Sequence, residues 1–102
     1  MRIVKVYEYL CSEKKEYTMS KQLLRSGTSI GANIAESQQA QNRPDFISKL
    51  NIALKEAVET NYWLRLLYAT NFMSNAEFSS IMDDCREIEK LLTAILKSIK
   101  SG

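Results

Sequence analysis

Apolar residues recur at alternating steps of three and four residues along much of the chain, and this spacing restricts the possible folds more than any other feature. In the last segment the stripe consists of Phe78, Ile81, Cys85, Ile88, Leu92, Ile95 and Ile99. A repeat that averages about 3.5 residues lies along one side of a helix, which packs against other helices. No segment alternates apolar and polar residues as a half-buried strand would. We therefore expect an all-α protein.

Four helical segments account for nearly the whole sequence, at about residues 1–15, 20–41, 44–70 and 75–100. Pro44 favours a helix start, because a residue in the first turn does not need its N–H group. Ser74 and Glu77 have the spacing of a capping box, in which each side chain bonds to the other residue's backbone N–H. Short links make sequential helices antiparallel neighbours. The sequence thus predicts one domain over residues 1–102, an up-down-up-down antiparallel four-helix bundle.

The first predicted helix is much shorter than the helices that it must cover. Its residues, about 15, span roughly 22 Å, whereas the third helix, with about 27 residues, spans roughly 40 Å. Part of the apolar surface of the long helices is then uncovered in a monomer. Either another subunit covers this surface, or the sequence begins inside a longer natural helix, and the residues alone leave both alternatives open.

Several kinds of catalytic and metal site are excluded by residue usage. The chain has no histidine, so Ser-His-Asp triads and His-ligated metals are impossible. Cys11 and Cys85 are far apart and match no zinc spacing. Each cysteine lies on the apolar side of its helix, as a buried reduced thiol would. We expect no enzyme activity, no metal and no cofactor.

The sequence has neither an apolar run long enough to cross a membrane nor, near its N-terminus, the continuous apolar stretch of a signal peptide. We therefore expect a cytoplasmic protein without membrane contacts. The formal net charge is only +2, far below the excess typical of dedicated nucleic-acid-binding domains. Any contact with a nucleic acid must then depend on where the charges are placed.

Basic residues gather at one end of the predicted bundle. The up-down-up-down topology brings together there the start of the first helix, the turn between the second and third, and the end of the fourth. The residues are Arg2, Lys5, Arg43, Lys49, Lys90, Lys97 and Lys100. Such a basic end could bind the phosphate backbone of RNA or DNA, particularly when an oligomer repeats it. Solvated surface lysines are the alternative interpretation.

Three small residues follow one another at steps of four in the second helix, namely Gly27, Gly31 and Ala35. Glycine in a helix interior costs about 1 kcal/mol relative to alanine, which suggests a gain elsewhere. The groove that they form would let another helix approach closely, either inside the bundle or at a subunit interface. A phosphate-binding loop does not fit, because no strand precedes the segment and the required spacing is missing.

Polar and aromatic side chains close to the apolar stripes suggest further packing roles. A hydrogen-bonded layer that fixes the alignment of the helices would be formed by Arg25, Asn33, Glu36, Glu56, Glu59 and Asn61. Arg25 is the nearest candidate to neutralise one of the carboxylates. Tyr62 and Trp63 are consecutive and cannot share one narrow helix face. At least one of them should point away from the core, where a subunit contact is the first interpretation.

The run LLRSGTSIGANIAES, followed by RPDFISKLNIALKEAVETNYWL, resembles the 23S rRNA intervening-sequence protein family. The matching residues are Arg25, Ser29, Ile30, Asn33, Ile34, Ala35 and Glu36, then Phe46, Leu50, Ala53 and Glu59. The chain has Ser37 where the family often has glycine. The resemblance implies a bacterial protein with a left-handed bundle, assembled as a ring-like homopentamer and without established catalytic residues. It also points to the related accessory variability determinant proteins of diversity-generating retroelements, which bind nucleic acid and a reverse transcriptase.

Two functional hypotheses follow from the residues and from the resemblance. The first is a non-enzymatic, oligomeric protein that binds RNA or another nucleic acid through its basic end and gains avidity from its oligomeric state. The second is a protein-interaction scaffold or accessory subunit whose partner docks on the aromatic or small-residue face. An enzyme that uses paired carboxylates is a distant third, because histidine is absent.

Overall fold

The computed structural model describes residues 2–101, apart from the side chain of the last one. Met1, where the sequence predicts that the first helix begins, and Gly102 lie outside the described residues. Within these limits the chain forms four helices and no strand: α1 (Arg2–Ser12), α2 (Thr18–Ser37), α3 (Arg43–Ala69) and α4 (Asn75–Ser101). The prediction of an all-α, four-helix fold is confirmed.

The helices pack in chain order, with α2 between α1 and α3, and α4 against α3. Thr60 contacts Ser26, and Lys49 contacts Glu36, so residue numbers rise in opposite directions along α2 and α3. A hydrogen bond likewise joins the start of α3 to the end of α4. The complete up-down-up-down order and the left-handed sense of the bundle stay predictions.

The link between α1 and α2 folds differently from the prediction. α1 ends at Ser12 and α2 begins at Thr18, because Glu16 turns inward and caps the second helix. Its carboxylate accepts hydrogen bonds from three backbone N–H groups at the start of α2, over 2.8 to 3.2 Å. Lys15 adopts a left-handed backbone conformation, with φ of 55°, to make this turn. α2 then ends at Ser37, four residues before the predicted 41.

The starts of α3 and α4 follow local capping signals. The Asn42 side chain accepts a hydrogen bond of 2.9 Å from the Asp45 N–H, and proline occupies the first turn of α3. The capping box before α4 is confirmed: the Ser74 N–H donates to Glu77 over 2.9 Å, and the Glu77 N–H donates to the Ser74 hydroxyl over 3.1 Å. These bonds satisfy backbone donors that have no partner inside their helix.

The core consists of two apolar clusters that differ in the number of helices around them. The first contains Leu10, Leu23, Leu64, Leu67, Met73, Ile81, Met82 and Cys85, from all four helices and the last link. The second contains Leu50, Ala53, Leu92 and Leu96, with partly buried neighbours from α2, α3 and α4. α1 contributes no residue to the second cluster. One half of the protein is therefore a four-helix bundle, and the other half has three helices.

The predicted apolar stripe of α4 departs from the structure at Ile95. This side chain is 43% exposed, whereas the next residue, Leu96, is 4% exposed and belongs to the second cluster. Leu96 faces α3, while Ile95 faces the side of the bundle where α1 is missing. The prediction that Ile95 lies in the core is wrong, because no helix within residues 2–101 covers that side.

Candidate nucleic-acid and assembly surfaces

The structure brings only some of the predicted basic residues together at one end of the bundle. The Arg43 guanidinium donates a hydrogen bond of 3.0 Å to the carbonyl of Ile99, which places it next to Lys100 in the last turn of α4. Lys49 lies two turns into α3 and forms an ion pair of 3.0 Å with Glu36. This hydrogen bond and charge raise the pKa of Lys49 above its ordinary value.

Arg2 and Lys5 do not lie at that end, and their predicted position is wrong. Arg2 forms an ion pair with Asp84 in the first half of α4. Lys5 lies farther than Arg2 from the end that holds Arg43 and Lys100, in a shallow groove that Glu77 also lines. The reason is the length of α1, which has 11 residues and packs where α2 begins, so that its first turn reaches only the middle of α2.

Four basic residues form a ridge along the exposed face of α4. It consists of Arg86, Lys90, Lys97 and Lys100, all of them exposed. Steps of four, seven and three residues keep them on one side of a helix over roughly 21 Å. No acidic residue occurs from 90 to 101. Arg86 is not among the predicted basic residues, because it lies away from the end of α4. Its step of four from Lys90 was the available signal.

Arg25 joins α2 to α3 through two carboxylates. Its guanidinium lies 3.3 Å from Glu56 and also forms an ion pair with Glu59. Glu59 accepts a further hydrogen bond of 3.3 Å from the indole N–H of Trp63. The prediction that Arg25 neutralises a neighbouring carboxylate is confirmed. These groups are partly exposed, so the pair contributes little to stability and mainly orients the side chains.

The other predicted members of the polar layer are not joined to this group. The Asn33 amide donates to the carbonyl of Ser29 in its own helix over 2.8 Å. Glu36 is exposed and pairs with lysine, as described above, and the Asn61 amide donates to Glu89 over 3.4 Å. The single layer predicted from the sequence is therefore wrong. Asn33 satisfies its amide locally, and Glu36 lies on the exposed side of α2, next to the buried Ser37.

A buried polar contact between α2 and α3 does exist, but between residues that the sequence analysis did not select. The Thr60 hydroxyl donates to the Ser26 hydroxyl over 3.0 Å, and both residues are buried. Thr60 lies in the core and is the neighbour of Asn61, which the sequence predicts to be in the polar layer. Apolar steps of three and four assign a residue to a helix face only to within about one position. The sequence therefore does not distinguish Thr60 from Asn61 as the residue that faces the core.

The consecutive aromatic residues of α3 divide as predicted. Trp63 packs against the first core cluster, whereas Tyr62 is 49% exposed and its ring contacts the tryptophan ring edge-on at 5.0 Å. One turn earlier, Val58 is 54% exposed. Together Val58 and Tyr62 form a small apolar patch on the outer surface of α3.

The three small residues of α2 have different surroundings. A Cβ atom on Gly27 would lie 2.8 Å from Ile3 Cγ2, so this glycine permits the close approach of α1. A Cβ atom on Gly31 would have nothing within 4 Å, and Ala35 is exposed. Close packing inside the bundle is therefore the role of Gly27 alone among the three.

The described residues were searched for groups that could hold a metal ion, for helices that could cross a membrane and for free thiols. No group of three or more histidine, cysteine, aspartate or glutamate residues could hold a metal ion within residues 2–101. Over the same range, no helix combines the length and the apolar character needed to cross a bilayer. Cys11 and Cys85 are free thiols, and burial raises the pKa of Cys85 to about 11.

Comparisons with known proteins agree with this architecture. The family model described as 23S rRNA-intervening sequence protein matches residues 1–94. A search of curated proteins found no match. One similar crystal structure is that of a protein with unknown function from the S23 ribosomal protein family of Bacteroides thetaiotaomicron VPI-5482. It is 60% identical in sequence to this chain and superposes on it with a TM-score of 0.93. The match covers 94% of this chain and 89% of the other. The chain therefore belongs to the 23S rRNA intervening-sequence protein family.

Proposed function

We propose that this protein is a non-enzymatic, nucleic-acid-associated binding protein that acts in the cytoplasm as a homo-oligomer, with RNA as its first candidate partner. The observation that carries the proposal is the basic ridge of α4. Its four cations are exposed and lie on one helix face, and the last twelve residues of the chain include no carboxylate side chain. The homopentameric state is proposed from the resemblance to the family.

The chemistry of the ridge suits a phosphate backbone better than base edges. Lysine and arginine attract phosphates in any sequence, and each neutralised phosphate releases bound counterions. Glu89 also lies among these cations and accepts a hydrogen bond from the Asn61 amide. The other residues between the cations are Thr93 and Ala94, which offer one hydroxyl group for hydrogen bonding to a base. We therefore expect binding with little sequence preference, modest affinity for each chain and strong salt dependence. An oligomer that presents several ridges would raise the affinity through multivalency.

The test is a titration of fluorescently labelled single-stranded RNA, duplex RNA and duplex DNA at several salt concentrations. Arg86→Gln combined with Lys90→Gln should weaken binding and reduce the slope of log K against log salt, by about 1.4 for a single strand if both contacts are lost. The matched control is Lys21→Gln combined with Lys55→Gln, which removes two exposed charges from α2 and α3.

Equal losses in the two double variants would show that net charge, and not the ridge, governs binding. Absence of binding even at low salt would refute the nucleic-acid function. Light scattering of the unmodified protein tests the assembly, and a monomer would contradict it.

The alternative function, a protein-interaction scaffold or an accessory subunit, is favoured by the apolar patch of Val58 and Tyr62. Aromatic residues are enriched in protein interfaces, and both side chains are about half exposed. If no nucleic acid binds, the alternative replaces the first function. If Tyr62→Lys lowers the mass measured by light scattering, the patch is a contact between subunits and not a docking surface for a partner.

A further inference from the structure

The shallow groove that contains Lys5 runs between α1 and the first half of α4, and we call it the α1–α4 groove. From α1 it is lined by Arg2, Lys5, Val6 and Tyr9, and from the last link and α4 by Met73, Glu77 and Ile81. Its volume is about 290 Å³, close to the lower limit for pockets that hold small organic ligands. It has room for a single flat ring system and not for a helix.

The α1–α4 groove lies alongside α1 and is bridged at one end. There Arg2 forms an ion pair with Asp84 and a hydrogen bond with the Ser80 hydroxyl, which together join α1 to α4. A continuation of the α1 axis beyond Arg2 would pass this bridged end and would not enter the groove. Tyr9 lines the other end, which opens to solvent. The groove is therefore formed by the described residues themselves.

Tyr9 supplies an aromatic surface at the open end. It follows Arg2 and Lys5 at steps of three and four, which places the three residues in one row along α1, and it is 36% exposed. The Lys14 ammonium lies 6.0 Å from the centroid of the tyrosine ring, within the range of a cation–π contact. An exposed ring with a cation beside it is suited to stacking against a second aromatic group that carries negative charge.

Two lysines provide positive charge on either side of this ring. The Lys5 ammonium, one turn before Tyr9, forms no hydrogen bond or ion pair within residues 2–100. Lys14 follows the tyrosine, and its charge adds to the hydrogen bonds from Ser74 that lower the pKa of Glu77. It therefore stands near the open end of the groove.

The carboxylates around the α1–α4 groove do not cancel these charges. Glu77 accepts the Ser74 N–H over 2.9 Å, and Asp84 pairs with Arg2. Glu8, three residues after Lys5 on the same helix, is exposed to solvent, where an unpaired carboxylate is well screened. Lys5 and Lys14 thus remain available to two phosphates, one on each side of a group stacked on Tyr9.

We propose that the α1–α4 groove binds one unpaired base of single-stranded RNA, which stacks on Tyr9 while its flanking phosphates contact Lys5 and Lys14. The inference rests on the proposed nucleic-acid function and deepens it by naming the form of RNA that is bound. In a duplex the bases are paired and stacked, whereas the bases of a single strand can be splayed out onto aromatic side chains. Every base has a π-face, so such stacking tolerates any sequence. The groove therefore selects single strands over duplexes.

The α1–α4 groove and the basic ridge lie on different sides of α4. Ile81 lines the groove, and Arg86 of the ridge follows it by five residues, which corresponds to a rotation of about 140° around the helix. Substitutions in one of the two surfaces should therefore leave the other intact. The contributions also differ in kind, because phosphate contacts weaken with salt and stacking depends on the presence of a base.

The test compares two labelled strands of eight nucleotides, oligouridine and an abasic strand with the same sugar–phosphate backbone. Fluorescence polarisation at constant salt should show tighter binding of oligouridine, on the order of tenfold, since only this strand can stack. Tyr9→Leu should remove this difference and leave the affinity for the abasic strand unchanged. Tyr9→Phe keeps the aromatic ring and should retain the preference. Lys5→Gln should lower the slope of log K against log salt by about 0.7 for both strands.

The matched control is Tyr17→Leu, which removes another exposed tyrosine that does not line the groove. It should change neither affinity, and circular dichroism should show that all variants remain folded. Two results would overturn the inference while the function of the ridge still stands: equal affinities of the unmodified protein for the two strands, or the same preference in Tyr9→Leu as in the unmodified protein. A loss of preference in Tyr17→Leu as large as in Tyr9→Leu would also exclude the groove as the stacking site. If neither strand binds at low salt, both the inference and the proposed function are wrong.

Discussion

Replacement of the two glycines of α2 by alanine separates helix propensity from helix contact. Gly27 and Gly31 are both inside α2, and neither has a left-handed backbone conformation. Alanine should therefore gain about 1 kcal/mol at either position through propensity alone. The two sites differ in what the new methyl group meets, which is Ile3 at position 27 and open space at position 31.

The geometry gives the expected difference. In Gly27→Ala the methyl carbon would lie 2.8, 3.0 and 3.2 Å from three carbons of Ile3. The nearest of these belongs to the rigid, β-branched part of the side chain, so α1 itself must move. Overpacking of this kind costs about 1 to 3 kcal/mol. Gly31→Ala should raise the free energy of unfolding by up to about 1 kcal/mol, while Gly27→Ala should leave it unchanged or lower it by up to about 2 kcal/mol.

Urea unfolding followed by circular dichroism measures the free energy of unfolding of both variants. A change of 1 kcal/mol shifts Tm by about 4 to 8 °C in a domain of this size. The Tm values of the two variants should therefore differ by at least about 4 °C. Ile3→Ala in the Gly27→Ala background should remove the penalty, with a coupling energy of about 1 to 3 kcal/mol. Equal stabilisation by the two alanines would refute the close approach of α1 at Gly27.

Two further predictions concern groups with shifted pKa values. Because the pKa of Cys85 is about 11, the remaining thiol of Cys11→Ser should react with a disulfide reagent near pH 8 only after unfolding; a fast reaction of the folded protein would contradict the burial. Hydrogen bonds from Ser74 lower the pKa of Glu77 below 4.5, so this group stabilises the fold above about pH 4.5 and the contribution is lost as pH falls through the folded pKa. In Glu77→Gln, the melting temperature should fall less between about pH 7 and pH 3 than in the unmodified protein. The same fall in both proteins would contradict a stabilising role of the ionised Glu77.

Features that depend on a few neighbouring residues could be predicted from the sequence. The capping box of Ser74 and Glu77 needs only a spacing of three residues, and the start of α3 needs only Asn42 and Pro44. The pattern of apolar steps was also sufficient to predict the number and the type of the elements. The cap made by Glu16 was missed, because a carboxylate in a link shows no spacing signal until the chain turns back.

Features that depend on how helices are offset along one another could not be predicted in this way. The ion pair of Arg2 with Asp84 joins residues 82 positions apart, and its position follows from the depth at which α1 packs on α2. Apolar spacing defines the face of a helix but carries no information about its displacement along the axis. The same limit misplaced Lys5.

The length of α1 explains several features of the protein at once. A helix of 11 residues beside helices of 20, 27 and 27 residues can close only one half of the bundle. The first core cluster therefore has side chains from all four helices, and the second does not. The apolar residues of α4 that lie beyond α1, Leu91 and Ile95, are exposed for the same reason. Because fewer apolar contacts hold the second half, local opening should cost less free energy there than in the half that α1 covers.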